Sequence, residues 1–268
     1  MRSAFVFALV GMASAASAQT FCLDFTTEDD FVTALANGQV IDTEFGNLLT
    51  LSSTGGSGLS VFDSTPGGVN AGAEDKDLLV GLGNLLIIQD SNEPDITGGF
   101  FDTPDDDAGN GTITFDFLAP VQMTSIDLVD IDSSVMITVT LTDGEGDTRT
   151  YDVPNGWTFD IQANPASDGF ATLDLTSLAP QAGETAVLAT ATEDASFDLA
   201  GVVSMEVAST GSFAVDNVKF VPTPASATLL AAAGLLGFRR RRSCSRQSPA
   251  TTKSPNPAVS CGVFHFME

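Results

Sequence analysis

Short runs that alternate apolar and polar residues dominate the sequence between residues 19 and 221, and Gly, Asp, Asn and Pro separate them. Ile113, Phe115 and Phe117 belong to one such run, and a second covers 135–141. Because successive side chains of a strand point to opposite faces, each run predicts a half-buried antiparallel strand. Turn residues follow the second run and lead into a third, so 135–153 is predicted to be a β-hairpin.

The pattern predicts an all-β chain with one domain at 19–220. We expect a single antiparallel β-sandwich of jelly-roll-like type, because about ten strands in one unit need two packed sheets. A helical turn is expected at 32–36, and loops are expected at 37–46 and 92–111. Further strands are predicted at 21–25, 48–52, 59–62, 85–89, 112–117, 125–131, 171–175, 202–207 and 212–220.

Residues 1–18 have the layout of a secretory signal peptide. Arg2 precedes an apolar run, and small residues end this segment as Ala16-Ser17-Ala18. This layout predicts cleavage before Gln19 and therefore an exported domain.

A second targeting feature is predicted at 221–242, where two prolines, an apolar run over 225–238 and a basic block follow one another. Because Lys and Arg beside an apolar segment stay on the cytoplasmic side, the order indicates a membrane stop. As a helix the run would be about 21 Å long against a hydrocarbon core of ~30 Å, which favours transient insertion. The alternative is a buried helix before a basic tail, and 243–268 is expected to be a disordered tail. The prolines are Pro222 and Pro224, and the basic block is Arg239, Arg240, Arg241 and Arg242.

This three-part arrangement resembles the PEP-CTERM sorting signal of bacterial surface and exopolysaccharide-associated proteins. Exosortase, a membrane-embedded cysteine peptidase, recognises that signal. The resemblance implies passage to the membrane, cleavage near 222–224 by an exosortase-type enzyme, and a final place at the cell surface or in the extracellular matrix.

Acidic residues are concentrated in the predicted domain. All 35 Asp and Glu residues except Glu268 lie there, against Lys76, Arg149 and Lys219 as its basic residues. Such a surface excludes nucleic acid and anionic lipid as partners, since both require clustered Lys and Arg. It would attract divalent cations, of which Ca²⁺ suits oxygen ligands outside the cell. Solubility or adaptation to a salty habitat explains the same charge.

Cysteine and histidine are too scarce for several kinds of site. Once both predicted targeting segments are removed, Cys22 is the one cysteine left, so no internal disulfide is expected. The single histidine is His265, in the tail. The domain therefore has no histidine for a Ser-His-Asp triad or for a zinc site.

Three short motifs resemble strands of exported jelly-roll domains related to carbohydrate-binding modules: LDF at 23–25, FDF at 115–117 and AVDNVKF at 214–220. In several calcium-binding members, an acid near the first strand and an Asp in the last strand share one structural ion. The resemblance thus implies a Ca²⁺ site on Asp24 and Asp216, with Asn217 and either Asp42 or Glu44 as extra ligands. The alternative is that both acids are solvated at strand edges.

A second candidate for Ca²⁺ is the acidic loop that contains Asp105 and Asp107. Its spacing departs from that of an EF-hand, because the glycine comes one place late. A simpler loop site and a solvated loop both remain open. The same alternatives apply to two further acidic groups, one at Asp127, Asp130 and Asp132 and the other at Asp143, Glu145 and Asp147, where turn chemistry alone explains Asp.

Trp157 and Tyr151 are the single Trp and Tyr of the chain. Flat aromatic side chains stack on sugar rings, so the two residues could form a small exposed glycan-binding platform. A buried aromatic pair is the other interpretation.

Together these features predict an exported, non-enzymatic cell-surface or matrix protein that is calcium-stabilised and associates with extracellular polysaccharide. The alternative is a polysaccharide-active hydrolase or lyase that uses paired aspartates, because a glycosidase needs only two suitably placed carboxyl groups.

Overall fold

The computed structural model describes residues 19–72 and 76–223. The predicted signal peptide and tail, and the sorting residues Pro224 and Arg239–Arg242, lie outside these ranges. Pro222 lies inside them, as the last and buried residue of the final strand. Within the described ranges, no helix is long and apolar enough to cross a membrane.

Fifteen strands and one short 3₁₀ turn at Leu199–Gly201 make up the described fold, which confirms the prediction of an all-β antiparallel sandwich. The strands are β1 (Phe21–Leu23), β2 (Val40–Ile41), β3 (Leu49–Thr54), β4 (Leu59–Asp63), β5 (Asn84–Ile88), β6 (Ile96–Thr97), β7 (Phe100–Phe101), β8 (Gly111–Val129), β9 (Ile137–Asp143), β10 (Thr148–Val153), β11 (Phe170–Asp174), β12 (Gln181–Ala182), β13 (Leu188–Glu193), β14 (Val202–Ser209) and β15 (Ala214–Pro222).

Strand β8 runs through both sheets of the sandwich. Its first half pairs with β3 and β14, and its second half pairs with β11 and β15. The first sheet has the order β12-β13-β10-β9-β14-β8-β3, and the second has the order β11-β8-β15-β5-β4-β2, with β1 also on β15. The pairing of β8 with β14 is interrupted between Asp116 and Val121, around Pro120, which has no backbone N–H to donate.

The interior lies between the two sheets and is filled by apolar residues from both. Ile113 and Phe115 of β8 face it from the first sheet, whereas Ile126 and Leu128 face it from the second. A smaller apolar group, here called the outer cluster, covers the opposite face of the second sheet. Its members are Phe62, Leu78, Leu85, Ile87, Val129 and Ala214.

The first and last strands are neighbours in the second sheet. Phe21 of β1 lies opposite Phe220 of β15 in the ladder. Their rings stack with centroids 5.7 Å apart, and the ring of Phe117 meets Phe220 edge-on at 5.2 Å. Aromatic packing therefore joins the first and last strands to β8.

Several local predictions are corrected. The stretches predicted as strands at 112–117 and 125–131 are parts of one strand, β8, and the loops predicted at 37–46 and 92–111 contain β2 and the β6–β7 hairpin. Residues 32–36 form no helical turn, because the Asp30 carboxylate accepts hydrogen bonds from the N–H groups of Val32 and Thr33 and holds a bend. The 135–153 hairpin is confirmed as β9–β10.

We expect Phe220→Ala to lower the free energy of unfolding by about 3–5 kcal/mol, because it removes a buried ring that joins β1, β15 and β8. The measurement is the urea midpoint of the full-length chain. Leu118→Ala is the matched control, since Leu118 is exposed and its truncation should change the free energy by less than about 0.5 kcal/mol. Equal effects of the two substitutions would contradict this account of the closure.

Candidate functional site

The register of the second sheet places two acids side by side. Asp216 of β15 lies opposite Asp127 of β8. Their neighbours Val215 and Leu128 face the interior, so by strand alternation both acids point to the opposite face, the one that carries the outer cluster. Asp216 is 0% exposed and Asp127 is 5% exposed. Two carboxyl groups are therefore buried together on the outer side of the second sheet.

Asn217 connects the two carboxyl groups. Its Nδ2 donates to Oδ2 of Asp127 at 2.9 Å and to Oδ2 of Asp216 at 3.0 Å. The residue has φ 48°, and the pairing of β15 with β8 is irregular between Asp216 and Lys219. Asn adopts this left-handed conformation more readily than most residues, and the resulting bulge turns its side chain toward the pair.

Two further side chains complete the surroundings. Thr172 of β11 donates its hydroxyl to Oδ1 of Asp127 at 2.5 Å. The Cys22 thiol donates to Oδ1 of Asn217 at 3.4 Å. The other oxygen of Asp216, Oδ1, is buried and has no hydrogen-bond partner. A buried carboxylate oxygen without a donor is unusual in a folded protein.

Burial raises the pKa of Asp216 to about 8, because the apolar surroundings disfavour its charged form. The negative charges of Asp127 and Asp24 raise this pKa further, while the backbone N–H of Asn217 and the charge of Lys219 lower it. This pKa favours the protonated form of the Asp216 carboxyl group at pH 7.

The residues predicted to share a Ca²⁺ ion are only partly brought together. Asp216 and Asn217 lie in the site, but the Asp24 carboxylate accepts from the N–H and the hydroxyl of Thr26, at 3.1 and 2.6 Å, and caps its own turn. Glu44 likewise accepts from the N–H of Asp42. The charge of Asp24 nevertheless acts on Asp216, and the implied bridge between these two residues stays a prediction.

Across residues 19–72 and 76–223, no group of three or more His, Cys, Asp or Glu side chains is placed to hold a metal ion. Asp105 and Asp107 flank an isolated bridge between Asp106 and Gln89. The Asp105 carbonyl accepts from the N–H of Asp90, and the Asp107 N–H donates to Ile88, so the segment continues alongside β5. The Ca²⁺ site at Asp105 and Asp107 stays a prediction.

The exposed platform predicted for Trp157 and Tyr151 is wrong, because both side chains are fully buried in the interior. Tyr151 and Val153 of β10 both face the interior, with the exposed Asp152 between them. The Tyr151 hydroxyl donates to the carbonyl of Leu175 at 2.6 Å. The indole N–H of Trp157 donates to the carbonyl of Gln181 at 3.2 Å. Each polar group is satisfied by backbone, as buried Tyr and Trp require.

The remaining acidic groups follow turn chemistry. Asp143 accepts from the N–H groups of Asp198, Glu145 and Asp147, and these hydrogen bonds, that of Asp198 foremost, hold its pKa below the usual range. Asp132 caps the turn at Ser134. Only Asp127, of the triplet with Asp130 and Asp132, takes part in the acid pair. The sequence pattern that indicates an outward-facing Asp127 is the alternation over 125–129, in which Ile126 and Leu128 face inward.

No protein-family model matches the chain, and no curated protein matches it significantly. Among solved structures, the crystal structure of an agarase, AgWH50C, shares 8% identity with a TM-score of 0.29. The matched region covers 43% of this chain and 19% of the agarase chain, well under two thirds of its length.

We expect Asp216→Asn to flatten the pH dependence of stability in EDTA. The folded pKa of about 8 lies above the unfolded value of about 4, so between these values the folded chain binds more protons than the unfolded chain. Wild-type stability should therefore fall as pH rises from 5 to 9, by up to about 1.4 kcal/mol per pH unit, and the variant should overtake it at pH 9.

Urea midpoints at pH 5, 7 and 9 measure this difference. Asp160→Asn is the matched control and should keep the wild-type slope, because its carboxylate caps an exposed turn and is not among the charges that act on Asp216. Parallel slopes for the wild type and Asp216→Asn would show that Asp216 is ionised in the folded protein.

Proposed function

We propose that the chain is an exported, non-catalytic component of the cell surface or its polysaccharide matrix, sorted there by an exosortase-type enzyme. The observation that carries the non-catalytic part is the enclosure of the acid pair. Asp216 has no accessible surface and Asp127 almost none, so the pair acts within the fold.

The arrangement of the terminal strands supports a tethered domain. β1 and the end of β15 are paired, so the described chain enters and leaves the sandwich at the same end. Thr223, the last described residue, donates to the carbonyl of Pro120, where the pairing of β8 with β14 is interrupted. A segment that follows Thr223 can thus be held in the membrane, or cut, without disturbing the two sheets.

Glycan association is the less supported part of the proposal, because the stacking role of Trp157 and Tyr151 is lost with their burial. Exposed rings are still available for stacking on a sugar at Phe31, Phe100 and Phe159. The acidic surface favours a neutral glycan, or an acidic one bridged by cations, over direct contact with an anionic polymer.

A hydrolase or lyase with paired aspartates is the second candidate, and the acid pair itself is the observation in its favour. The two Oδ2 atoms are at most about 6 Å apart, because each lies one hydrogen-bond length from the same nitrogen. Retaining glycosidases use a comparable spacing and one carboxyl group of raised pKa. A polysaccharide must reach both groups, however, and the burial of Asp216 opposes this.

The surface-extracted protein is expected to begin at Gln19 and to end after Thr223 but before the Arg239–Arg242 block. The physical reason is that β15 holds Val221 and Pro222 in its ladder with β8, which protects them from a peptidase. Intact mass spectrometry of the surface fraction makes the measurement. A C-terminus beyond Arg242, or recovery only from the cytoplasm, would overturn the sorting proposal.

No release of reducing sugar is expected when the full-length protein is incubated with neutral or acidic polysaccharides. Asp127→Asn and Asp216→Asn should leave this background unchanged, since the enclosed pair meets no substrate. Release by the wild type that both substitutions abolish would establish the enzyme instead.

A further inference from the structure

We propose that Asp127, Asp216 and Asn217 bind one divalent cation, Ca²⁺ above all, on the outer face of the second sheet. The ion would join β8 to β15, in contrast to the Asp24–Asp216 bridge implied by the sequence. This inference goes beyond the proposed function, which stands or falls separately on localisation and catalysis.

The charges around the acid pair favour a cation. Two carboxyl groups lie around one amide nitrogen, and the side-chain groups that donate to them, the Asn217 amide and the Thr172 hydroxyl, are neutral. The positive charge of Lys219 lowers the pKa of Asp216 without forming a salt bridge to it. A buried carboxyl group needs a proton or a charge of opposite sign, and no salt bridge among the described residues brings that charge to Asp127 or Asp216.

One carboxylate oxygen of the acid pair has no partner. Oδ1 of Asp216 is buried and accepts no hydrogen bond, although the surrounding polar atoms of the site are all bonded. An orphan carboxylate oxygen inside a packed sheet is explained by a ligand that supplies positive charge.

The oxygen atoms around the acid pair are of the kind that Ca²⁺ binds. Asp127 and Asp216 offer carboxylate oxygens, and Thr172 adds a hydroxyl oxygen next to Asp127. The Asn217 side chain now points its Nδ2 at both acids and its Oδ1 at Cys22. A half-turn of the amide exchanges the two atoms, so Oδ1 faces the carboxylates and Nδ2 faces the sulfur. The set then consists of oxygen ligands in an irregular geometry, which Ca²⁺ accepts better than Mg²⁺.

The test is thermal unfolding of the full-length protein, dialysed against EDTA and then measured in CaCl₂ or in NaCl at matched ionic strength. At 100 times the Kd, a ligand of the folded state should raise the Tm by about 5–10 °C for a domain of this size. Asp127→Asn and Asp216→Asn, which keep the side-chain shape, should each lose most of the rise. Asp24→Asn and Asp107→Asn are the controls and should keep it.

Asn217→Asp separates a ligand from a packing residue. A third carboxylate should lower the Tm in EDTA and enlarge the rise with CaCl₂, whereas a residue that only packs would show the first effect alone. Equilibrium dialysis of the wild type against ⁴⁵Ca²⁺ should give one bound ion per chain, whatever the stability of the variants. The proposal is overturned by no rise, by an equal rise in NaCl, or by a rise that depends on Asp24 and not on Asp127.

Discussion

The sharing of β8 between two sheets is the constraint on which the rest of the structure depends. Its nineteen residues pair with four strands, two on each half. The register of β8 therefore decides which side chains of both sheets point into the interior. Because strand side chains alternate, a slip by one residue would bring Asp116 and Asp127 into the interior and expel Phe115 and Leu128. The apolar alternation of β8 therefore specifies the whole sandwich.

The same alternation produces the acid pair. With Leu128 facing inward, Asp127 must face outward, and β15 places Asp216 beside it. The outward side of this sheet is not open to water there, since Val129 and Ala214, two residues away on the same face, belong to the outer cluster. Two acids that a simple sandwich would leave in solvent are thus enclosed by a second layer of apolar side chains.

The sequence predicts those features that depend on local periodicity. Alternation indicated the β9–β10 hairpin and most strands of the interior. β13 was missed because its inward-facing residues, the buried Ala189 and the half-buried Ala191, are alanines, which carry little apolar signal. The pairing of Asp127 with Asp216 depends on the register of distant strands and on the bulge at Asn217, which no short motif encodes. Nor does a sequence distinguish an exposed Trp157 from a buried one, because both interpretations allow the same turn before it.

The hydrogen bonds of the other aspartates explain how the Asp127–Asp216 pair differs from them. With few cations available, many aspartates accept a hydrogen bond from the backbone N–H two residues further on, which satisfies the carboxylate without an ion pair. These are Asp24, Asp30, Asp63, Asp90, Asp107, Asp132, Asp143, Asp160, Asp174 and Asp198.

Asp216 differs from these aspartates, because it lies within a strand, opposite Asp127, and not at a turn. The backbone N–H of Asn217 lowers its pKa, but burial still raises that pKa well above the usual range. Its neighbour Asn217 bulges out of the strand and supplies a neutral donor, but that donor is divided between two carboxyl groups. The demand for positive charge is thus concentrated at one point of the sheet, where either a proton or a cation must meet it.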